Sequence, residues 1–65
     1  MKVKYFVGTD TLYIEFCSGE AAETRDLDKD TLLDVDASGN FLALTVEHAS
    51  ERTGVPEFSY EQIPA

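Results

Sequence analysis

The chain has 65 residues, 13 of them acidic against 5 Lys and Arg, and a net charge of −8. One domain of this size buries only about 60% of the surface its unfolded chain exposes, so its core alone confers marginal stability. The acid excess argues against nucleic-acid binding, which needs Lys and Arg to neutralise phosphates, and a single cysteine, Cys17, allows no internal disulfide.

Period-2 alternation dominates, which predicts strands. "KVKYFV" (2–7) sets Val3, Tyr5 and Val7 against Lys2 and Lys4, and "GTD" (8–10) turns the chain. "TLYIEF" (11–16) places Leu12, Ile14 and Phe16 on one side and Thr11, Tyr13 and Glu15 on the other. "CSGE" (17–20) is a turn, and the charged "AAETRDL" (21–27) reads as an edge strand. "DKD" (28–30) turns again, and "TLLDVD" (31–36) and "FLALTVE" (41–47) complete the strands. "HASERTG" (48–54) is expected to form two helical turns starting at His48, with Gly54 just past the end and Pro56 blocking continuation. The tail 55–65 has no clear period. The expected fold is α+β but mostly β. It is an antiparallel meander of about five strands over residues 1–54 with one short C-terminal helix, because parallel pairing needs crossovers that the short turns cannot supply.

"DVDASGN" (34–40) resembles the front of a calcium loop. Such a loop needs a bidentate acid at its twelfth position and flanking helices. Counting from Asp34, the twelfth residue is Thr45, and both flanks alternate as strands. The stretch is therefore a hairpin turn. A four-residue loop, Ala37 to Asn40, pairs Val35 with Leu42, Leu33 with Leu44 and Thr31 with Val46, which makes one face apolar. A one-residue slip would mix the faces. Gly39 supplies the left-handed residue, and Asp36 or Ser38 bonds the turn amides.

These registers predict a core face of Val3, Tyr5, Leu12, Ile14, Phe16, Leu33, Val35, Leu42, Leu44 and Val46. A two-turn helix and a short tail cover only part of such a face. A symmetric homodimer is the expected way to bury the rest. The opposite face mixes Tyr13, Leu32, Phe41 and Ala43 with Glu15, Asp34 and Asp36, an apolar patch with an acidic rim of the kind that binds proteins. The candidate partner-binding residues are Tyr13, Glu15, Leu32, Asp34, Asp36 and Phe41. The bland alternative is that the tail, through Phe58 or Tyr60, folds over this face.

No catalytic or metal-binding residues are assigned, and no cofactor is expected. His48 is the only imidazole and nothing in the sequence places it near Cys17. Asp34 and Asp36 point the same way, about 7 Å apart on a strand, which suits a divalent ion only weakly. Residues 1–20 hold Asp10, Glu15 and Glu20 and no apolar signal region, and no run approaches the roughly 20 apolar residues of a membrane helix. A cytoplasmic protein with no membrane association is expected.

"DTLYIEF" (10–16), "AETRDL" (22–27) and "LLDVDASGNFLALTVEHAS" (32–50) together resemble the small prokaryotic domains grouped as domain of unknown function 2283. Tyr5, Leu12, Tyr13, Ile14, Ala22, Glu23, Thr24, Leu33, Asp34, Asp36, Gly39, Ala49 and Ser50 sit at matching places. Phe6 stands where an acid is usual, Ala43 to Val46 where Gly-Ile-Glu-Ile is common, and His48 where Asp is common. The resemblance implies a small β-rich domain without an established activity. It also implies genes that neighbour those of toxin-like proteins, hence an antitoxin or accessory partner of a small basic protein. The alternative is a weak divalent-metal or small-ligand binding protein without catalysis. No basic arm or helix-turn-helix is present for DNA binding.

Overall fold

The computed structural model describes residues 1–65. Five strands form a single antiparallel sheet: β1 (Lys2–Phe6), β2 (Thr11–Glu15), β3 (Glu23–Asp28), β4 (Thr31–Val35) and β5 (Phe41–Val46). The mostly-β, five-stranded antiparallel architecture expected from the alternation is what forms. Its strand order is β1-β2-β5-β4-β3, so the last strand made lies at the centre. Sequential pairing holds within β1–β2 and within β3–β4–β5, but β2 pairs with β5 rather than β3. The physical reason lies in β5. Its "FLALTV" is the most apolar of the strands and the most buried, whereas β3, "ETRDLD", is exposed at every position. A charged strand is tolerated at an edge, where its side chains also discourage pairing with other sheets.

Opposite residues of antiparallel strands share a face. Across the sheet, Val3, Ile14, Leu44, Leu33 and Arg25 form one rung, with Tyr5, Leu12, Val46 and Thr31 beside it. This is the expected core face, hereafter the inner face. Only Leu33, Val35, Leu42, Ala43, Val46 and Ala49 are buried, and Val3, Tyr5, Leu12, Ile14, Phe16 and Leu44 stay half-buried. The molecule is flat, 35 × 31 × 18 Å, with a radius of gyration of 12.8 Å; a compact chain of this length has about 11 Å.

The β4–β5 hairpin follows the four-residue register through Thr31–Val46, Leu33–Leu44 and Asp34–Ala43. It then departs from it: Val35 pairs with Phe41, and Leu42 is the extra residue of a bulge. The cause is β2. The Leu42 carbonyl accepts the amides of Phe16 (2.7 Å) and Cys17 (3.4 Å), so β5 bends where the chain leaves β2. Residues 17–22 then cross to β3, with Gly19 packed so closely on Leu42 that a Cβ there would lie 3.1 Å from Cδ2.

The expected helix over 48–54 is only one 3-10 turn, Ala49–Glu51. His48 takes a left-handed conformation (φ 53°, ψ 42°), and the amides of Ala49 and Ser50 are bonded to Asp10, 2.9 and 3.0 Å away. The turn starts against the β1–β2 loop instead of extending from β5. It closes with the Arg52 and Thr53 amides on the Ala49 carbonyl. No helix is long and apolar enough to cross a membrane.

Candidate interaction face and the polar end of the sheet

Alternation sends the intervening residues to the outer face. One rung runs Lys4, Tyr13, Thr45, Leu32 and Asp26, and the next runs Lys2, Glu15, Ala43, Asp34 and Thr24. Four of the six sequence-predicted residues, Tyr13, Glu15, Leu32 and Asp34, are thus brought together on β2 and β4, on either side of β5. Glu15 and Asp34 flank Ala43, about 10 Å apart by strand spacing. Ala43, 2% exposed, lies with Tyr13, Glu15, Asp34 and Leu42 in a shallow depression of about 270 Å³. Its far wall is the crossover, through Cys17, Ser18, Gly19 and Ala21. The Asp34 carboxylate accepts the Thr24 hydroxyl at 2.5 Å, which fixes its orientation on the face.

The other two predicted residues sit elsewhere. The Asp36 carboxylate is engaged inside the hairpin turn, accepting the amides of Ser38 (2.9 Å) and Asn40 (2.8 Å) and the Asn40 side-chain amide (2.9 Å). Those bonds, Asn40's foremost, hold its pKa below the usual carboxylate range. Phe41 is shifted by the bulge to the end of β5, 56% exposed, with its ring 6.5 Å from that of Phe16. The tail does not cover the outer face: Val55, Pro56 and Phe58 lie against Val3, Tyr5, Leu12 and Ile14 of the inner face.

Two features of the site escape pattern reading. Lys2 and Lys4 of the edge strand share the outer face, so it runs from basic at β1 to acidic at β3 and β4. Alternation already sets them on that side, but their position relative to Asp26 and Asp34 depends on the strand order. The second feature is a polar clasp at the end of the sheet. The Tyr5 hydroxyl donates to Asp10 Oδ1 (2.6 Å), the Ser50 hydroxyl to Asp10 Oδ2 (2.7 Å), and the Ser50 amide to both oxygens. Asp10, with φ 55°, is a non-glycine residue in the left-handed region, which Asp tolerates better than most.

The clasp continues on the other side. Arg52 Nη1 donates to Asp28 Oδ2 (2.7 Å) and Thr31 Oγ1 (3.2 Å), His48 Nδ1 lies 3.1 Å from Asp30 Oδ1, and the Glu47 amide donates to the Asp30 carbonyl. Residues 47–52 therefore tie the β1–β2 turn to the β3–β4 turn. The donors set the charges: Ser50 and then Tyr5 depress the Asp10 pKa, and the Asp30 amide and Arg52 bring Asp28 down to about 2. Asp30 raises the pKa of His48.

Chemically, Asp10 is a carboxylate saturated with donors and held ionised, which makes it a poor general base toward Ser50. The arrangement fits a fastening. No group of three His, Cys, Asp or Glu side chains converges as metal ligands would. The clasp also gives physical meaning to the residues that carry the resemblance, since Tyr5, the Asp10 stretch and Ala49-Ser50 are the parts joined by these bonds.

No curated protein and no solved structure matches the chain. The family model described as protein of unknown function, DUF2283, matches residues 2–50, which span all five strands and the Asp10–Ser50 clasp, and the chain belongs to that family.

Proposed function

We propose that this chain is a small acidic protein-binding module whose outer face docks a basic protein, in the manner of an antitoxin or an accessory subunit. The observation that carries the reading is the outer face itself. Tyr13 and Leu32 lie in one rung beside the carboxylates Glu15 and Asp34 in the next, on central strands that the tail leaves uncovered. An aromatic and an aliphatic side chain supply contact area, and the flanking acids favour a cationic partner and speed its approach. Charge in the chain as a whole supports the same direction, because −8 on 65 residues draws cationic surfaces from a distance.

The test is affinity capture of the tagged chain from its native host, with Tyr13→Ala/Asp34→Lys as the paired control. The expected result is one basic protein recovered in stoichiometric amount by the native chain and lost with the variant, with both baits showing the same far-UV circular dichroism. Equal recovery by both baits would remove the outer face as the docking surface.

A further inference from the structure

We infer that a second copy of this chain docks in the groove between β1 and the C-terminal tail, on the face opposite the proposed partner surface. The groove, about 600 Å³, is lined by Met1, Val3, Tyr5, Pro56, Phe58 and Tyr60. Three independent features select another copy as its occupant.

The first is area. The chain exposes 4955 Å². A compact monomer of 7.2 kDa exposes about 4,100 Å². The excess over the whole chain, roughly 800 Å², is of the order that each partner contributes to a standard-size interface. The second is charge. None of the six lining residues carries a carboxylate, although one residue in five of the chain is acidic. Two chains of charge −8 can approach closely only where their acids are absent. The third is relief. Phe58 and Tyr60 stand 62% and 65% exposed beside the half-buried Val3 and Tyr5, so ridge and trough lie next to each other in one patch. A patch of that form is self-complementary across a two-fold axis: each protomer's aromatic ridge enters the other's trough, as an isologous interface requires. Buried aromatic anchors are also where interface energy concentrates.

The residues forming the ridge lie beyond 2–50, the part matched by the family. The interface therefore belongs to this chain's tail and not to the shared sheet alone.

The test is sedimentation equilibrium on the full 65-residue chain, comparing the native protein with Phe58→Asp/Tyr60→Asp and with Leu32→Glu on the outer face. The native chain is expected to sediment at twice 7.2 kDa. The tail double variant is expected to raise the dimer Kd by about 30-fold or more, whereas Leu32→Glu stays dimeric. Because both tail residues are largely exposed within one chain, the double variant should keep its circular dichroism. As a second readout, isotope-filtered nuclear Overhauser contacts from the Phe58 ring to Val3 and Tyr5 of a differently labelled protomer should appear. A monomeric native chain at millimolar concentration overturns the proposal and leaves the groove to another apolar occupant. A dimer that survives the tail substitutions and is lost with Leu32→Glu overturns it in favour of the outer face. A monomeric chain leaves capture of a basic protein untouched, and capture of that protein by the outer face leaves the groove untouched, so the two readings fail separately.

Discussion

At the scale of single residues, the ionised groups at the end of the sheet have pH consequences of opposite sign. The Asp28 carboxylate, held at about 2 by the Asp30 amide and Arg52, binds its proton less readily folded than unfolded, where such a group titrates near 3.8. Its contribution is complete above that unfolded value and disappears as the pH falls through about 2. His48 is the reverse case. Its hydrogen bond to Asp30 raises its pKa above 6.5, so its contribution is complete below 6.5 and is lost as the pH rises through the folded value. Asp28, Arg52 and His48 are solvent-exposed and screened, so each effect is small. Thermal unfolding followed across pH should show Asp28→Asn flattening the acid limb below pH ~4 and His48→Gln flattening the limb above pH 6.5. An acid limb unchanged in Asp28→Asn would mean that the Arg52 pair contributes nothing in solution.

Residue-level reading of the sequence recovered some of this chemistry. Asp36 was legible as a turn residue because Asp bonds amides two or more positions ahead, a local habit. Asp10 was legible only as part of a turn, since its partner Ser50 is 40 residues away and no local pattern announces such a pair.

At the scale of elements, the β4–β5 hairpin depends on Gly39, which sits at φ +85° with nothing within 4 Å of where a Cβ would be. Space is available, so the cost of a side chain is purely that of the backbone. Gly39→Ala should lower stability by about 1 kcal/mol, seen in urea unfolding as a lower midpoint with an unchanged slope. A fall much larger than this, or a changed slope, would indicate that the turn does more than reverse the chain. The hairpin register was readable up to Asp34 because the alternation of Leu33, Val35, Leu44 and Val46 fixes which side faces in. The bulge at Leu42 was not, because it is imposed by the end of β2, which bonds to the Leu42 carbonyl from outside the hairpin. The two-turn helix failed for a related reason. Local propensity and Gly54 allowed it, but the β1–β2 loop took the first amides through Asp10. In each case a long-range bond overrode a local preference, which pattern reading within one segment cannot weigh.

At the scale of the whole molecule, the charge map separates two kinds of association. A basic partner on the outer face is held partly by attraction, so added salt should weaken it. Two copies meeting in the carboxylate-free groove repel through their overall charge, so added salt should tighten the dimer. Calorimetric titration of the captured partner and sedimentation of the chain alone, each at low and high sodium chloride, should give Kd values moving in opposite directions. Movement in the same direction would merge the two surfaces into one. The inner and outer faces were legible in the sequence because alternation assigns side chains to faces without reference to strand order. The gradient from Lys2 and Lys4 to Asp26 and Asp34 was not legible, because it exists only once β5 has inserted between β2 and β4.

That central position of β5 also orders the birth of the molecule. The ribosome delivers β1 and β2, then β3 and β4, and only afterwards the strand that joins them. Without β5 the chain offers only two separate hairpins, each too small to persist in water. Only with β5 in place can the two hairpins join into one sheet, whose end the Asp10–Ser50 bonds then fasten. A chain truncated before β5 lacks the strand that joins β2 to β4 and is expected to stay unfolded and open to proteases.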